Sequence, residues 1–370
     1  MSINLQQIKV WVLAPHLVTN DANIDYYYDF SQSIAEYTKT FAELNMEWQW
    51  QPVTMNDFET VIDSIATEKN TLGKSVVVFN LCDGDEINGT PGVSVIHYLE
   101  KKQLPYTGAD AFFYNITTSK IPMKHAFDTH HVATPLWQAI TQREQQLGNL
   151  FNVLGTPIIV KPSVSGGSMG VGIQNVVHNE NALQQQVSNM FNGYRGWRLT
   201  ADGVIAEAFI DGPEFTVLIV GNYTSPETAI VYAPVERVFH QSLPATEKFL
   251  SFDRLWEIYE DESPMPNEEN FYEYALPDVS LHNRIKQLSW DAYMACKGVG
   301  YTRVDLRMDK NTNQLYVLEV NAQCGLSEDE NFTSIGAILK FNNKSFTNLV
   351  VEILNNTLSK AAQKQNLHAA

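Results

Sequence analysis

The chain has 370 residues, 44% of them hydrophobic and 18% charged, enough apolar material for two or three domains and no long stretch that composition marks as disordered. A formal net charge of -17 argues against nucleic acid and anionic membrane as partners, because both reward clustered lysine and arginine. Cys82, Cys296 and Cys324 have no metal-ligand spacing and make no disulfide framework, and the start carries no basic, apolar leader, so a reducing, cytoplasmic setting is expected.

In chain order, Ile8 to Leu13 reads as a buried first strand ended by Pro15. Ser31 to Leu44 sets Ile34, Tyr37, Phe41 and Leu44 at helical spacing, with Ser31 as N-cap. A second helix near Asp57 to Ala66 leads into Ser75 to Asn80, a continuous apolar run of the kind that parallel sheets cover on both faces. Gly92 to Lys101 is helical again, and the β-α-α-β-α order predicts an open α/β domain over residues 1–115. Helices are expected around Lys120 and Lys124 and at Gln142 to Leu147, then strands at Pro157 to Lys161, Val204 to Ile210, Glu214 to Val220 and Ala229 to Pro234. The aromatic-rich excursion from Phe239 to Tyr274 exceeds an ordinary loop and is expected to be functional or locally ordered. A helix at His282 to Lys297, two strands and an amphipathic helix at Ser345 to Leu358 close the chain.

The two late strands, Tyr301 to Asn321 with a polar turn between them, carry the sharpest signal. Pairing symmetric about Thr312 sets Asp305 opposite Glu319 and Arg303 opposite Asn321, and alternation puts each strand's pair on one face. Facing carboxylates repel unless positive charge lies between them. A divalent cation removes the repulsion, with Asn321 as a third oxygen donor; magnesium suits such a sparse set because water and phosphate oxygens complete its shell. The competing reading is a solvated acidic hairpin with Arg303 as a surface counter-ion.

Lys161-Pro162-Ser163-Val164-Ser165-Gly166-Gly167-Ser168-Met169-Gly170 follows a strand, and its small residues let backbone N–H groups approach phosphate oxygens beside the Lys161 charge. It matches neither the Walker pattern nor the dinucleotide fingerprint, and a plain flexible turn fits it as well. In Glu207 to Val217 a strand ends, Asp211-Gly212-Pro213 turns it, and Glu214 opens the next strand. Backbone groups near Glu207 and Ile210 suit an adenine edge, and the Glu214 carboxylate suits ribose hydroxyls; a hairpin with two surface acids is the alternative.

Together and in this order these segments resemble the ATP-grasp superfamily and its D-alanine–D-alanine ligase branch. The resemblance rests on Thr118-Ser119-Lys120, Ile159 to Ser163, Gly167-Ser168-Met169-Gly170, Glu207 to Val217, Arg303-Val304-Asp305, and Leu318-Glu319-Val320-Asn321 followed by Gly325. It implies two α+β lobes, over residues 116–206 and 207–370, that clamp magnesium-bound ATP after the N-terminal domain. It assigns Lys120, Lys161, Gly167, Ser168 and Lys248 to ATP, Glu207, Phe209 and Ile210 to the adenine hinge, and Glu214 to the ribose. Asp305, Glu319 and Asn321 become the magnesium ligands, with Arg303, Lys161 and Ser168 acting on the transferring group. The implied reaction is amide formation from a small-molecule carboxylate and an amine through an acyl phosphate; a homodimer is implied as well. A small-molecule kinase or a regulator that has lost catalysis keeps the same fold.

Three positions depart from the branch. Its serine in the glycine-rich loop, its tyrosine and its glutamate form a hydrogen-bonded triad; the matching positions here are Gly167, Phe249 and Asp29. Beyond Gly325 the chain reads Leu326-Ser327-Glu328-Asp329-Glu330, where acids should repel a carboxylate-bearing acceptor, so an amine other than D-alanine is expected. Asp29, Asp83, Glu86, Gly325 and Glu330 are the candidate substrate contacts, with Tyr26, Tyr27 and Tyr28 as a wall of that site or as core. His125, His130 and His131 read as solvated rather than as a metal trio, and Cys82 and Cys324 as pocket lining rather than nucleophiles.

Overall fold

The computed structural model describes residues 5–21, 25, 28–71 and 73–369; the expected wall residues Tyr26 and Tyr27 lie outside them. It begins with β1 (Ile8–Pro15), α1 (Ser31–Glu43), β2 (Glu47–Val53), α2 (Phe58–Thr71), β3 (Ser75–Asn80) and α3 (Val93–Lys101). The three strands pair in parallel in the order β2-β1-β3. Every residue of β1 is buried because both faces are covered. Val10 and Val12 meet Tyr37 and Phe41 of α1, while Trp11 and Leu13 meet Ile62 of α2 and Ile96 of α3. Helix α1 starts one residue earlier than expected: Phe30 holds the N-cap position and Ser31 is already helical.

Next come α4 (Ala111–Thr118), α5 (Lys120–Thr129), β4 (Trp137–Ile140), α6 (Leu150–Leu154), β5 (Ile158–Pro162), β6 (Val176–Val177), α7 (Glu180–Phe191) and β7 (Val204–Ala208). The antiparallel sheet β4-β7-β5-β6 covers one face with Leu150, Leu154, Leu183 and Val187. No helix forms at Gln142 to Leu147. Six residues with one apolar position, stopped by Gly148, have no face to bury that would offset helix nucleation. Phe113, Tyr114, Met123 and Phe127 of α4 and α5 share a core with the following sheet, so packing shows no break at residue 116.

That sheet is built from β8 (Glu214–Asn222), β9 (Ile230–Val231), β10 (Val235–Phe239), β11 (Tyr272–Ala275), β12 (Val299–Met308) and β13 (Leu315–Ala322), in the order β11-β10-β8-β12-β13 with β9 on β8. The strand expected over Ala229 to Pro234 shortens to two residues, as proline has no N–H for a ladder. The long excursion is ordered by a short helix α8 (Phe252–Leu255), a cluster of Phe239, Met265 and Phe271, and its return as β11. Helices α9 (Val279–Ala295), α10 (Ser334–Phe341) and α11 (Phe346–Ala369) complete the chain. Among the described residues no helix is long and apolar enough to cross a membrane. Phe215, Val217, Val304, Leu306 and Val320 make one sheet face apolar and pack it against Phe127, Ile285 and Ala292; the other face divides into a polar part around Glu214, Asp305 and Arg307 and an apolar part, Leu218, Val220 and Tyr301, in the core with Ile338 and Val350.

Gly300 holds β12 against the N-terminal domain. Its φ is +86° and a Cβ there would lie 2.3 Å from the carbonyl oxygen of Gly108. Gly300→Ala should therefore cost at least about 2 kcal/mol of stability, combining left-handed backbone strain with a clash against rigid main chain. Urea unfolding with an unchanged midpoint would refute this.

Candidate active site

Alternation along β12 puts Arg303, Asp305 and Arg307 on the polar face, and the ladder sets Arg303 opposite Asn321 and Asp305 opposite Glu319. The expected register thus holds where the charges meet. It breaks just beyond, at a bulge that pairs Leu306 with Val317 and leaves Leu318 extra, so the turn is not symmetric about Thr312. Asp305 is buried and receives Arg303 Nε at 3.0 Å, Arg303 Nη2 at 2.9 Å and Asn321 Nδ2 at 3.0 Å. Burial alone would raise its pKa; the Arg303 and Arg237 guanidiniums overcome this and hold the carboxyl below its ordinary value. Glu319 is more open and has Lys120 Nζ at 3.5 Å from Oε2.

One residue row further along the sheet, Arg237, Glu214 and Arg307 lie side by side on β10, β8 and β12. Glu214 is buried between the two guanidiniums, ion-paired to Arg237 through Oε1 and to Arg307 at 3.3 Å through Oε2. It is not the open carboxylate expected for a ribose. Arg307 also donates to the Ile210 carbonyl at 3.1 Å and to the Lys248 carbonyl, with its guanidinium 5.4 Å from the Phe209 ring. Burial lowers the Arg307 pKa. Phe209, Ile210, Glu214 and Lys248 are therefore brought together as expected, but around an arginine. Alternation from Arg303 would have reached Arg307; Arg237 had no local signal, because which strand lies beside β8 is not written in its own sequence.

Glu207 does not stand in an open hinge. Its carboxylate is 1% exposed, 2.5 Å from Lys124 Nζ and 2.7 Å from Lys161 Nζ. Burial opposes its charge, yet the two ammonium groups bring its pKa down to about 2. Lys124 is completely buried and also donates to Thr134 Oγ1 at 2.5 Å; desolvation lowers its pKa. The sequence pointed to Lys161 and Lys120 but left Lys124 without a role, since nothing local shows that it reaches β7. Lys120 Nζ donates to the Ser165 carbonyl at 3.0 Å, tying the start of α5 to the glycine-rich loop. Positive charge thus borders that loop while Asp305, Glu319 and Asn321 face it from the sheet, an arrangement suited to a polyphosphate with a hard cation.

Residues 128–355, more than half of the chain, match the family model for the D-ala D-ala ligase C-terminus. The chain belongs to the D-alanine–D-alanine ligase family. A D-alanine–D-alanine ligase B from Xanthomonas campestris is 28% identical over 254 residues, 68% of this chain and 69% of that one. A D-alanine–D-alanine ligase from Marinobacter nauticus is 27% identical over 259 residues, 70% and 68% of the two chains. Among solved structures, the ATP complex of the Bacillus anthracis ligase superposes with a TM-score of 0.64 at 18% identity, covering 96% of this chain and 99% of the other. The Coxiella burnetii ligase does so with a TM-score of 0.66 at 16% identity, covering 98% of each. These likenesses give the ATP-grasp fold, and membership of the family makes the chain an ATP-dependent ligase that joins carbon to nitrogen.

The three positions that the resemblance sets against the family triad make other contacts. Phe249 is buried with Ile159 and Val171, where a hydroxyl would lack a role. Asp29 is exposed and accepts the Ser31 N–H at 2.9 Å, so it serves the start of α1 rather than the cleft. The excursion still clasps the glycine-rich loop: Trp256 Nε1 donates to the Gly167 carbonyl at 2.9 Å and Phe252 N to the Val171 carbonyl at 2.8 Å. Tyr28, Met169, Leu199 and Phe252 form a small apolar cluster over the same junction. Arg195 locks it, pairing with Asp21 at 2.8 Å from the N-terminal domain and with Glu260 from the excursion. Ser168, at φ +62°, lies half-buried in the clasped loop.

The expected substrate residues divide. Asp83 is exposed in the turn that follows β3. Glu86 is instead a cap of α3, accepting the Gly92 and Ser94 N–H groups at 3.1 and 2.6 Å. Gly325 is exposed and unobstructed. The acids after it do not act as a bare cluster: Glu328 pairs with Lys39, Glu330 with Lys340, and Asp329 caps its own turn through the Asn331 N–H. The repulsion expected there is locally screened. His125 packs on Trp137 and His130 bonds the Ala126 carbonyl, and no metal-binding group of histidine, cysteine and acid side chains occurs among the described residues. Cys82 and Cys324 are buried, with burial pushing the Cys324 thiol up to about 12, which suits lining and not attack.

Glu207→Gln would leave Lys124 as a buried charge without its partner, a loss of about 3–5 kcal/mol at neutral pH. Because Glu207 titrates lower when folded than its ordinary 4.5, its contribution is complete above that value and disappears as pH falls toward about 2. Urea midpoints of wild type and variant should therefore converge on acidification; parallel curves would contradict the pairing. Arg195→Ala should raise the KM for ATP at least about threefold and increase ADP release without product, as the clasp loosens and water enters. Unchanged coupling of ADP to product would dismiss that role.

Proposed function

We propose that this chain activates a small-molecule carboxylate, on an amino acid or peptide-like substrate, as an acyl phosphate and passes the acyl group to an amine, using ATP with magnesium. The observation that carries the reading is the cross-strand row of Asp305 and Glu319, flanked by Arg303, Asn321 and Lys120. Two carboxylates and an amide on one sheet face are a hard-oxygen donor set, and a half-turn of the Asn321 amide would present its oxygen in place of the N–H now given to Asp305. Asp305, Glu319 and Asn321 would hold magnesium, which screens the phosphate oxygens and draws charge toward the leaving phosphate.

The chain's own residues do the rest by placement. Lys161, oriented by Glu207, and Lys120, oriented by the Ser165 carbonyl, bring fixed positive charge to the phosphate side of the cleft. Gly167 and Ser168 in the clasped loop offer backbone and hydroxyl donors that close over the transferring group. A substrate carboxylate oxygen attacks the γ-phosphorus and ADP departs. The acyl phosphate is then stabilised by Arg303, and a neutral amine displaces phosphate at the carbonyl carbon to give the amide. The relatives carry D-alanine in their names; the residues at Gly167 and Phe249, which differ from those the resemblance expects, are the reason to look for an acceptor other than a second D-alanine.

Hydroxylamine should trap the intermediate as a hydroxamate in the presence of the right carboxylate, whereas a stable phosphorylated product would mean a kinase. Asp305→Asn should lower ADP formation at least about a hundredfold in protein that remains folded by circular dichroism. Wild-type protein that releases no ADP with any carboxylate and amine would leave a nucleotide-binding regulator as the reading.

A further inference from the structure

A cleft of about 750 Å³, the size of a small-molecule site, opens between the excursion, the edge strand β11 and the segment from Glu330 to Phe332. Tyr259, Tyr272, Tyr274 and Phe332 give it aromatic walls. Tyr272 and Tyr274 also form its boundary with the polar sheet face. Their rings lie 5.3 and 5.5 Å from the guanidinium of Arg237, the partner of Glu214, and Tyr272 donates its hydroxyl to the Phe332 carbonyl at 3.0 Å. The cleft is thus one layer of rings away from the row that contains Arg307, and Glu330 and Phe332 lie in the loop after the strand that carries Glu319 and Asn321.

Its charge is one-sided. Four carboxylates line it, Glu257, Glu269, Glu273 and Glu330, against the cations Arg254 and Lys340. Arg254 is already held by Glu247 at 2.7 Å, outside the cleft, and Lys340 by Glu330 at 2.7 Å. Glu269 pairs with His240 at 3.0 Å. Glu257 is exposed and makes no ion pair among the described residues, whereas alternation along β11 turns the Glu273 side chain to the face opposite Tyr272 and Tyr274. Aromatic faces with an unpaired carboxylate are the recognition chemistry of an organic cation, since ring quadrupoles and negative charge add while both repel a carboxylate.

We propose that this cleft receives the amine substrate and that this amine carries a second positive charge, as a diamine, a polyamine or a basic amino acid does. The inference rests on the ligase reading above. The amine that attacks must be neutral: its nitrogen lone pair forms the C–N bond, the C–O bond to phosphate breaks, phosphate leaves with that electron pair, and the nitrogen gives up one proton. A monoamine in that state has no charge left for the cleft to recognise. The cation held by Glu257 and the rings must therefore be a different group of the same molecule, with the attacking nitrogen directed toward Arg303.

The full-length protein with ATP and magnesium is to be supplied with a panel of carboxylates, with hydroxylamine as a generic nucleophile or with putrescine, spermidine, L-lysine or D-alanine as acceptor. Putrescine binding is measured separately by calorimetry in the presence of a non-hydrolysable ATP analogue. The expected result is coupling to the dicationic amines in preference to D-alanine. In the Glu257→Gln protein their KM and the putrescine Kd should rise about fivefold while hydroxamate formation is unchanged. Normal hydroxamate formation together with a preference for D-alanine, or with putrescine affinity indifferent to the substitution, overturns the cleft assignment and leaves the ligase reading standing. No hydroxamate and no ADP with any carboxylate overturns both.

Discussion

Two carboxylates face one another across β12 and β13, and the polar face of the large sheet is organised around the need to compensate them. Asp305 is satisfied by Arg303 and Asn321 while Glu319 looks to Lys120. The next row repeats the logic with the signs exchanged, Glu214 between Arg237 and Arg307. Buried charge of this kind is poor currency for stability, since well-packed apolar residues of equal volume would serve as well or better. Its persistence on one face, backed by Phe215, Val217, Val304 and Leu306 on the other, accords with the proposed role of meeting phosphates and a hard cation.

The same economy explains the hinge between lobes. Lys124, Glu207 and Lys161 connect α5, β7 and β5, so that one lysine of the phosphate side is held by a carboxylate that is itself anchored from below. Orientation by a buried partner removes rotamer freedom before a nucleotide arrives, and this lowers the entropy to be lost on binding. Arg307 does the same for the backbone of the turn, gathering the Ile210 and Lys248 carbonyls around one guanidinium.

The glycine-rich loop is clasped from two sides. It is joined to the excursion and the N-terminal domain by the Trp256–Gly167 hydrogen bond, an aromatic cluster around Phe252, and Arg195 bridging Asp21 and Glu260. Apolar burial and a bridging guanidinium are less directional than a hydrogen-bonded triad. They hold the loop closed while placing fewer polar groups where substrate would lie.

Period and turn chemistry made the local pieces legible from the sequence alone. A strand's alternation fixes which residues share a face, and a hairpin's short turn fixes which residues stand opposite, so Asp305 with Glu319 and Arg303 with Asn321 could be read directly. Continuous apolar runs likewise announced the parallel pair β1 and β3. Even here the bulge at Leu318 escaped, because an extra residue in one strand leaves the alternation on either side intact. The partners of Glu207, Glu214 and Arg195 were decided only by tertiary structure. They lie 23 to 174 residues away in the chain, and no local period specifies which distant strand or loop is brought alongside. The sequence by itself determined the faces and the nearest pairs; packing of the lobes decided which charges bury together, because burial is a property of the assembled layers and not of any one segment.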